Sequence, residues 1–109
     1  MGRYNIIFCV LTYKNSNDLK EFIENLKGNN KINFSYKIIV INNYADETTS
    51  QLIKEIAYKN DCVFIESENK GYSYGNNLGI KYAKENFEFD YLIVCNPDTY
   101  IIEFDFNNI

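Results

Sequence analysis

Histidine and tryptophan are absent from this 109-residue chain, proline occurs once and cysteine three times. Each scarcity removes a class of chemistry. Without histidine there is no Ser-His-Asp machinery, no zinc site built on imidazoles and no imidazole general base. The cysteines, Cys9, Cys62 and Cys95, are odd in number, far apart, and each sits in an apolar run. A Cys-based metal site or a disulfide framework needs pairs or close spacings. These three read instead as buried free thiols of a reducing compartment.

Positive charge is also in short supply, and the net charge is -4. An acidic chain with no basic stripe argues against nucleic acid as a partner. Nor is there the cluster of Lys and Arg that an anionic membrane attracts. No apolar run approaches the ~18 residues that suggest a membrane span. Met1-Gly2-Arg3 leads directly into a strand pattern, so no signal peptide is expected. Position 6 is Ile, so Gly2 does not head a myristoylation motif.

What is present is a regular alternation of two periodicities, in a length that suits one domain over 1–109. Tyr4 to Tyr13 is a continuous apolar run rich in β-formers, suited to a strand buried on both faces. In the next segment Leu19, Phe22, Ile23 and Leu26 form one helical stripe, with Ser16 or Asn17 to cap it and Gly28 to stop it. Tyr36 to Asn43 is a second buried strand. A second helix follows, capped by Asp46, with Leu52, Ile53 and Ile56 expected to face inward. Cys62 to Ser67 is a third strand, Ser73 to Phe87 a third helix, and Tyr91 to Cys95 a fourth, buried strand. The tail from Tyr100 alternates enough to be a fifth, edge-type strand. This order predicts an α/β fold: a three-layer α/β/α arrangement around a mostly parallel sheet, with right-handed crossovers.

In such sheets ligands bind beyond the carboxyl ends of the strands. Four polar clusters fall there: Thr12-Tyr13-Lys14-Asn15, Asn42-Asn43-Tyr44-Ala45-Asp46, Glu68-Asn69-Lys70-Gly71-Tyr72 and Asn96-Pro97-Asp98. Pro97 fixes its own φ and pushes Asn96 towards extended backbone, so the Asp98 carboxylate would project stiffly. Such a group suits a hard divalent cation, and the same tripeptide is equally good turn chemistry. Gly71, Gly75 and Gly79 open the third helix without forming GxGxxG. They permit close approach of a ligand, or simply tight packing. The amides of Asn42 and Asn43 could pair with a planar heterocycle or form a helix-entry turn. Asn76 and Asn77 offer amides or a helix cap.

The blocks "VLTYKNSNDLKEFIENL", "IIVINNYADETT", "NKGYSYGNNLGIKYA" and "YLIVCNPDTYI", in this order and spacing, resemble the N-terminal half of glycosyltransferase family 2. The rhamnosyltransferase-like branch is nearest in pattern, and the likeness covers residues 5 to about 102. The resemblance implies the Rossmann-like half of a GT-A fold. It also implies a nucleotide-diphosphate sugar, UDP- or dTDP-linked, transferred with inversion in polysaccharide or glycoconjugate synthesis. It assigns Thr12, Tyr13 and Asn42 to the nucleotide's base side, with Asn15, Asn43 and Asn96 also nucleotide-binding. Asn69, Gly71 and Asn77 fall in the loop and helix beside the nucleotide. Asn96 and Asp98 belong to an "NPD" form of the metal motif, with Asp98 the ligand for Mg²⁺ or Mn²⁺. It further implies a cytoplasmic location, including the inner face of the membrane.

Two departures stand out. Asn42 replaces a usual Asp, and Asn96 replaces the first acid of the stricter metal motif, leaving a single strong ligand. The family's acceptor site and catalytic base lie beyond the metal motif, and this chain ends at Ile109. Glu103 and Asp105 are the only later acids, and they fit better as solvated charges than as a general base. The expectation is therefore a donor-binding half, truncated relative to the family and inactive alone, whose standing as an enzyme stays open. An apolar C-terminal edge left uncovered would promote self-association. A non-catalytic interaction module on a decayed fold is the alternative. A receiver-like domain would need acids where Thr12-Tyr13-Lys14 stand, and a flavodoxin-like domain would need a phosphate loop there.

Overall fold

The computed structural model describes residues 2–29, 32–68 and 70–97. Four strands and three helices alternate: β1 (Arg3–Thr12), α1 (Ser16–Gly28), β2 (Tyr36–Asn43), α2 (Glu47–Lys59), β3 (Val63–Ser67), α3 (Tyr72–Asn86) and β4 (Glu88–Cys95). The sheet order is β3-β2-β1-β4, and every pair is parallel. The central strands β1 and β2 are the continuous apolar runs, as parallel strands covered on both faces require.

Strand alternation divides the core into two layers. Ile6, Phe8 and Val10 of β1, with Ile38 and Val40 of β2, pack against Leu19, Phe22, Ile23 and Leu26 of α1 and Ile53 and Ala57 of α2. Phe8 and Phe22 meet edge to face, their centroids 6.2 Å apart. On the other face Ile7, Cys9 and Leu11, with Ile39 and Ile41, pack against Ala83 of α3. Two helices therefore cover one face and one helix the other, giving the expected three layers.

Small residues bring α3 close to the sheet. A Cβ on Gly75 would lie 2.7 Å from Leu11 Cδ1, and one on Gly79 would lie 2.7 Å from Ile41 Cδ1. Of the two roles the sequence left open for these glycines, the structure displays the packing one.

The three cysteines are buried free thiols, as expected. Burial pushes Cys9 and Cys95 up to about 12 and Cys62 to about 11.

Two expectations need correction. Leu52 does not face inward, being 46% exposed. The inward stripe of α2 is Ser50, Ile53 and Ala57, with Ile56 packed at its margin. Positions 50, 53 and 57 share a face at helical spacing, and Leu52 lies about 100° round from Ile53. Nor is β4 a buried strand. Among the described residues it is an edge strand starting at Glu88, with Tyr91 and Val94 exposed. Its charged start is fixed to β1, where Asp90 pairs with Arg3 at 2.6 Å and accepts from Asn5 Nδ2 at 3.0 Å. The tail proposed as a fifth strand lies outside the described residues. No helix among the described residues is long and apolar enough to cross a membrane.

Candidate functional site

The apolar columns of the sheet turn polar at its carboxyl rim. Parallel register sets Thr12 beside Asn42 and Asn42 beside Glu66. Thr12 continues the column of Ile6, Phe8 and Val10, and Asn42 continues that of Ile38 and Val40. Glu66 follows Phe64, which packs against the same layer. All three polar side chains thus fall on the α1/α2 side of the sheet.

They are bonded in a chain. Thr12 Oγ1 donates to Asn42 Oδ1 at 2.9 Å, and Asn42 Nδ2 donates to Glu66 Oε2 at 2.8 Å. The Ser50 hydroxyl of α2 donates to the other carboxylate oxygen, Glu66 Oε1. Thr12 is fully buried, Asn42 is 1% exposed, and Glu66 reaches solvent. Buried polar groups are tolerated when they are satisfied, and this chain of donors satisfies them. Glu66 and Ser50 were not among the residues singled out from sequence. The readable signal was Glu66 itself, a charge two positions after Phe64 on the inward side of a strand.

The loop after β1 is a tight turn. Lys14 adopts a left-handed φ of 59°, and Asn15 Oδ1 accepts from the Tyr13 amide at 2.8 Å. Asn15, not Ser16 or Asn17, occupies the N-cap of α1, and its side chain serves the turn, not the helix. Tyr13 is exposed, with Lys14 Nζ 5.6 Å from its ring centroid. The loop after β2 leads to Asp46, which caps α2 as expected by accepting from Thr49 N at 2.8 Å. That bond, then the Thr49 hydroxyl and the Lys14 charge, hold the Asp46 carboxyl below the usual carboxylate range. The charge effect couples the loops after β1 and β2.

On the opposite side of the rim stands Asn43, 4% exposed, whose Oδ1 has no hydrogen-bond partner among the described residues. Asn76 Oδ1, in α3, is in the same condition. Gly71 caps α3 with a φ of 98°, a conformation that favours glycine. Asn77 is exposed near the start of α3, and Asn96 is exposed just past β4. The register Val10↔Cys95 puts the end of β4 at the rim beside β1.

Asn69 and Asp98 lie outside the described residues. No three His, Cys, Asp or Glu side chains among the described residues come together to hold a metal ion. Asp98, the one expected metal ligand, thus lies outside the described part, and of its motif Asn96 and Pro97 are described.

A cavity of about 190 Å³ opens at the other end of the sheet, lined by Tyr4, Tyr36, Cys62 and two lysines. Its lysines are taken up by the end of α2. Lys27 Nζ donates to Asn60 O at 3.0 Å and Lys37 Nζ to Asp61 O at 2.8 Å. Cations at a helix C-terminus stabilise it, so this arrangement is structural.

Comparison with known proteins agrees with this geometry. A mannosyltransferase from Pyrobaculum calidifontis, PcManGT, solved with GDP-Man and Mn2+, superposes with a TM-score of 0.66 at 14% identity. The match covers 88% of this chain and 28% of that one, and it supports the Rossmann-like GT-A architecture. The low-salt glycan biosynthesis hexosyltransferase Agl10 of Haloferax volcanii is 27% identical over 106 residues, which is 96% of this chain and 31% of the relative. The poly-beta-1,6-N-acetyl-D-glucosamine synthase of Staphylococcus aureus is 31% identical over 98 residues, 88% of this chain and 22% of the relative. The chain thus spans less than a third of the length of these relatives. The model of the family described as "Glycosyl transferase family 2" matches residues 7–103, from the middle of β1 to beyond the end of β4, so it takes in every strand end that forms the polar rim. By that match, the chain belongs to glycosyl transferase family 2.

Proposed function

We propose that the chain binds a nucleotide-diphosphate sugar at the carboxyl rim of its sheet, as the donor-binding half of an inverting transferase in polysaccharide or glycoconjugate synthesis. One observation carries the reading: in a chain of this family, polar side chains from adjacent strand ends converge on one rim and are bonded in series. Thr12, Tyr13 and Asn42 belong to the base side of the site, and Asn15 and Asn43 to its further nucleotide-binding residues. Asn69, Gly71, Asn77 and Asn96 are assigned to nucleotide binding as well. UDP- and dTDP-linked donors, of the kind used by the rhamnosyltransferase-like branch, are the first candidates. The GDP-Man of the structural neighbour adds GDP-linked donors to them.

Asp98 would hold Mg²⁺ or Mn²⁺. Bound there, the cation supplies charge neutralisation for the leaving diphosphate. Pro97, which is buried, restricts the backbone just before Asp98 and lowers the ordering cost of binding. Chemistry on the acceptor needs a general base within hydrogen-bond reach, and in the family that base lies beyond the metal motif. Residues 1–109 act together as one donor-binding unit. It works in the cytoplasm or at the inner face of the membrane, and copies associate through the exposed edge at β4.

Titration calorimetry with UDP, dTDP and GDP, with and without Mn²⁺, tests the reading. Metal-dependent binding is expected, and Asp98→Ala should remove the metal dependence while leaving the folded state intact. Affinity that ignores both the metal and the substitution would refute the metal role. Failure of every nucleotide to bind would favour a non-catalytic interaction module on the same fold.

A further inference from the structure

We propose that Glu66 is the residue that reads the nucleobase, and that Asn42 and Ser50 act through it as positioning residues. The inference rests on the donor-binding reading and assigns the specificity of that site. Asn42 stands at the strand end from which a base contact is expected. Yet it is 1% exposed, and both its polar groups are engaged, Oδ1 by Thr12 and Nδ2 by Glu66. A side chain so covered and so paired offers a ligand very little. Its neighbour across the strand register, Glu66, carries the carboxylate that reaches solvent.

That carboxylate is held from two directions. Asn42 Nδ2 donates to Oε2, and the Ser50 hydroxyl donates to Oε1. A carboxylate has about four acceptor positions. Two are filled, and the others have no donor among the hydrogen bonds of the described residues. Fixing both oxygens removes most of the rotamer freedom that a ligand contact would otherwise have to freeze. The product is a rigid, acceptor-only group at the rim.

Such a group selects by the polarity of the base edge. Uracil and thymine present a ring N3–H, and guanine presents N1–H with an amino N–H beside it. Each can donate to a carboxylate in a charge-assisted bond. Cytosine and adenine present a ring-nitrogen lone pair at the corresponding place, which faces the carboxylate unfavourably. The ligand class is therefore a nucleoside diphosphate whose base carries a ring N–H. A purely structural Glu66, tying β2, β3 and α2 together, would make no such distinction.

Calorimetric titration of the 109-residue chain and Glu66→Gln with UDP, dTDP, GDP, CDP and ADP, all with Mn²⁺, decides the matter. The unmodified chain should bind at least one of UDP, dTDP and GDP about tenfold more tightly than CDP and ADP. The UDP, dTDP and GDP arms separate pyrimidine from guanine donors. Glu66→Gln should bring that ratio to within about threefold, with CDP and ADP little changed. Ser50→Ala keeps the carboxylate but frees one oxygen, and should lower the ratio by less. It also serves as the deciding variant if Glu66→Gln does not fold. A preference for CDP or ADP, or an equal weakening towards all five in Glu66→Gln, overturns the assignment. So does a ratio that stays intact in whichever variant folds. Binding with the ratio intact defeats this inference alone, whereas no binding of any nucleotide to the unmodified chain defeats the donor-site reading along with it.

Discussion

Asp46 illustrates how much one exposed residue can govern. It starts α2, accepts from the Thr49 amide and hydroxyl, and lies within the field of Lys14. Its folded-state carboxyl sits below the ordinary value, first because of the Thr49 amide. A depressed carboxyl contributes stability above its unfolded pKa of about 3.9, and that contribution disappears as pH falls through the folded value. An asparagine in its place would still cap the helix, since asparagine is as good an N-cap as aspartate, but it cannot ionise. Asp46→Asn should therefore lower the thermal midpoint slightly at pH 7, and the gap should close as pH drops below about 4. Midpoints of the two proteins at pH 7, 4 and 3 measure this directly. Other titrating groups are common to both and cancel, so a gap constant with pH would contradict the assigned cause.

At the scale of the element, α3 is set by what its inner face lacks. Gly79 allows the helix to sit so close to the sheet that a Cβ would meet Ile41 at 2.7 Å and Cys9 Sγ at 3.4 Å. Replacing it with alanine pits a helix-propensity gain of about 1 kcal/mol against a clash of about 1–3 kcal/mol. Valine sharpens the contest, because a branched side chain enlarges the clash and gives up much of the propensity gain. Gly79→Val is expected to destabilise by about 2–3 kcal/mol, readable as a lower urea midpoint. An unchanged midpoint would mean that α3 can move off the sheet without penalty. Elements of this kind also show what the sequence could and could not tell. The stripe of α1, the cap at Asp46 and the strands β1, β2 and β3 were legible, because large apolar residues at period 3.6 or in runs leave little choice of face. The inward stripe of α2 was misread, since Ser50 and Ala57 are small and Leu52 is the larger apolar residue. The first half of β4 was missed because Glu88 and Asp90 look like loop residues, although an edge strand carries exposed charge readily. At the site, the rim positions of Thr12, Asn42 and Asn43 were visible from the strand ends. Glu66 was not, for its importance comes from partners on β2 and α2 that only the folded register brings to it.

At the scale of the molecule, the sheet formed by the described residues ends in two edges, β3 and β4. The two halves of β4 differ in kind. Its start carries Glu88 and Asp90, and Asp90 is tied to Arg3 and Asn5. From Tyr91 to Cys95 it carries no charge, and Tyr91 and Val94 are 52% and 43% exposed. Charge is the usual device that keeps an edge from pairing with another chain, so the uncharged half is the place where a second copy would add. Association through it should be favoured by the backbone groups of the edge and by burial of the tyrosine and valine, at roughly 25 cal/mol for each Å² of apolar surface covered. Light scattering over a dilution series should accordingly show an apparent mass that rises with concentration. Val94→Lys puts a charge at an exposed position on the α3 side of that half-strand, and should shift the association to higher concentration while leaving the thermal midpoint of the dilute chain nearly unchanged. A mass equal to that of one chain at the highest concentration would remove β4 as an interface, and equal association of the unmodified chain and Val94→Lys would move the contact elsewhere on the surface.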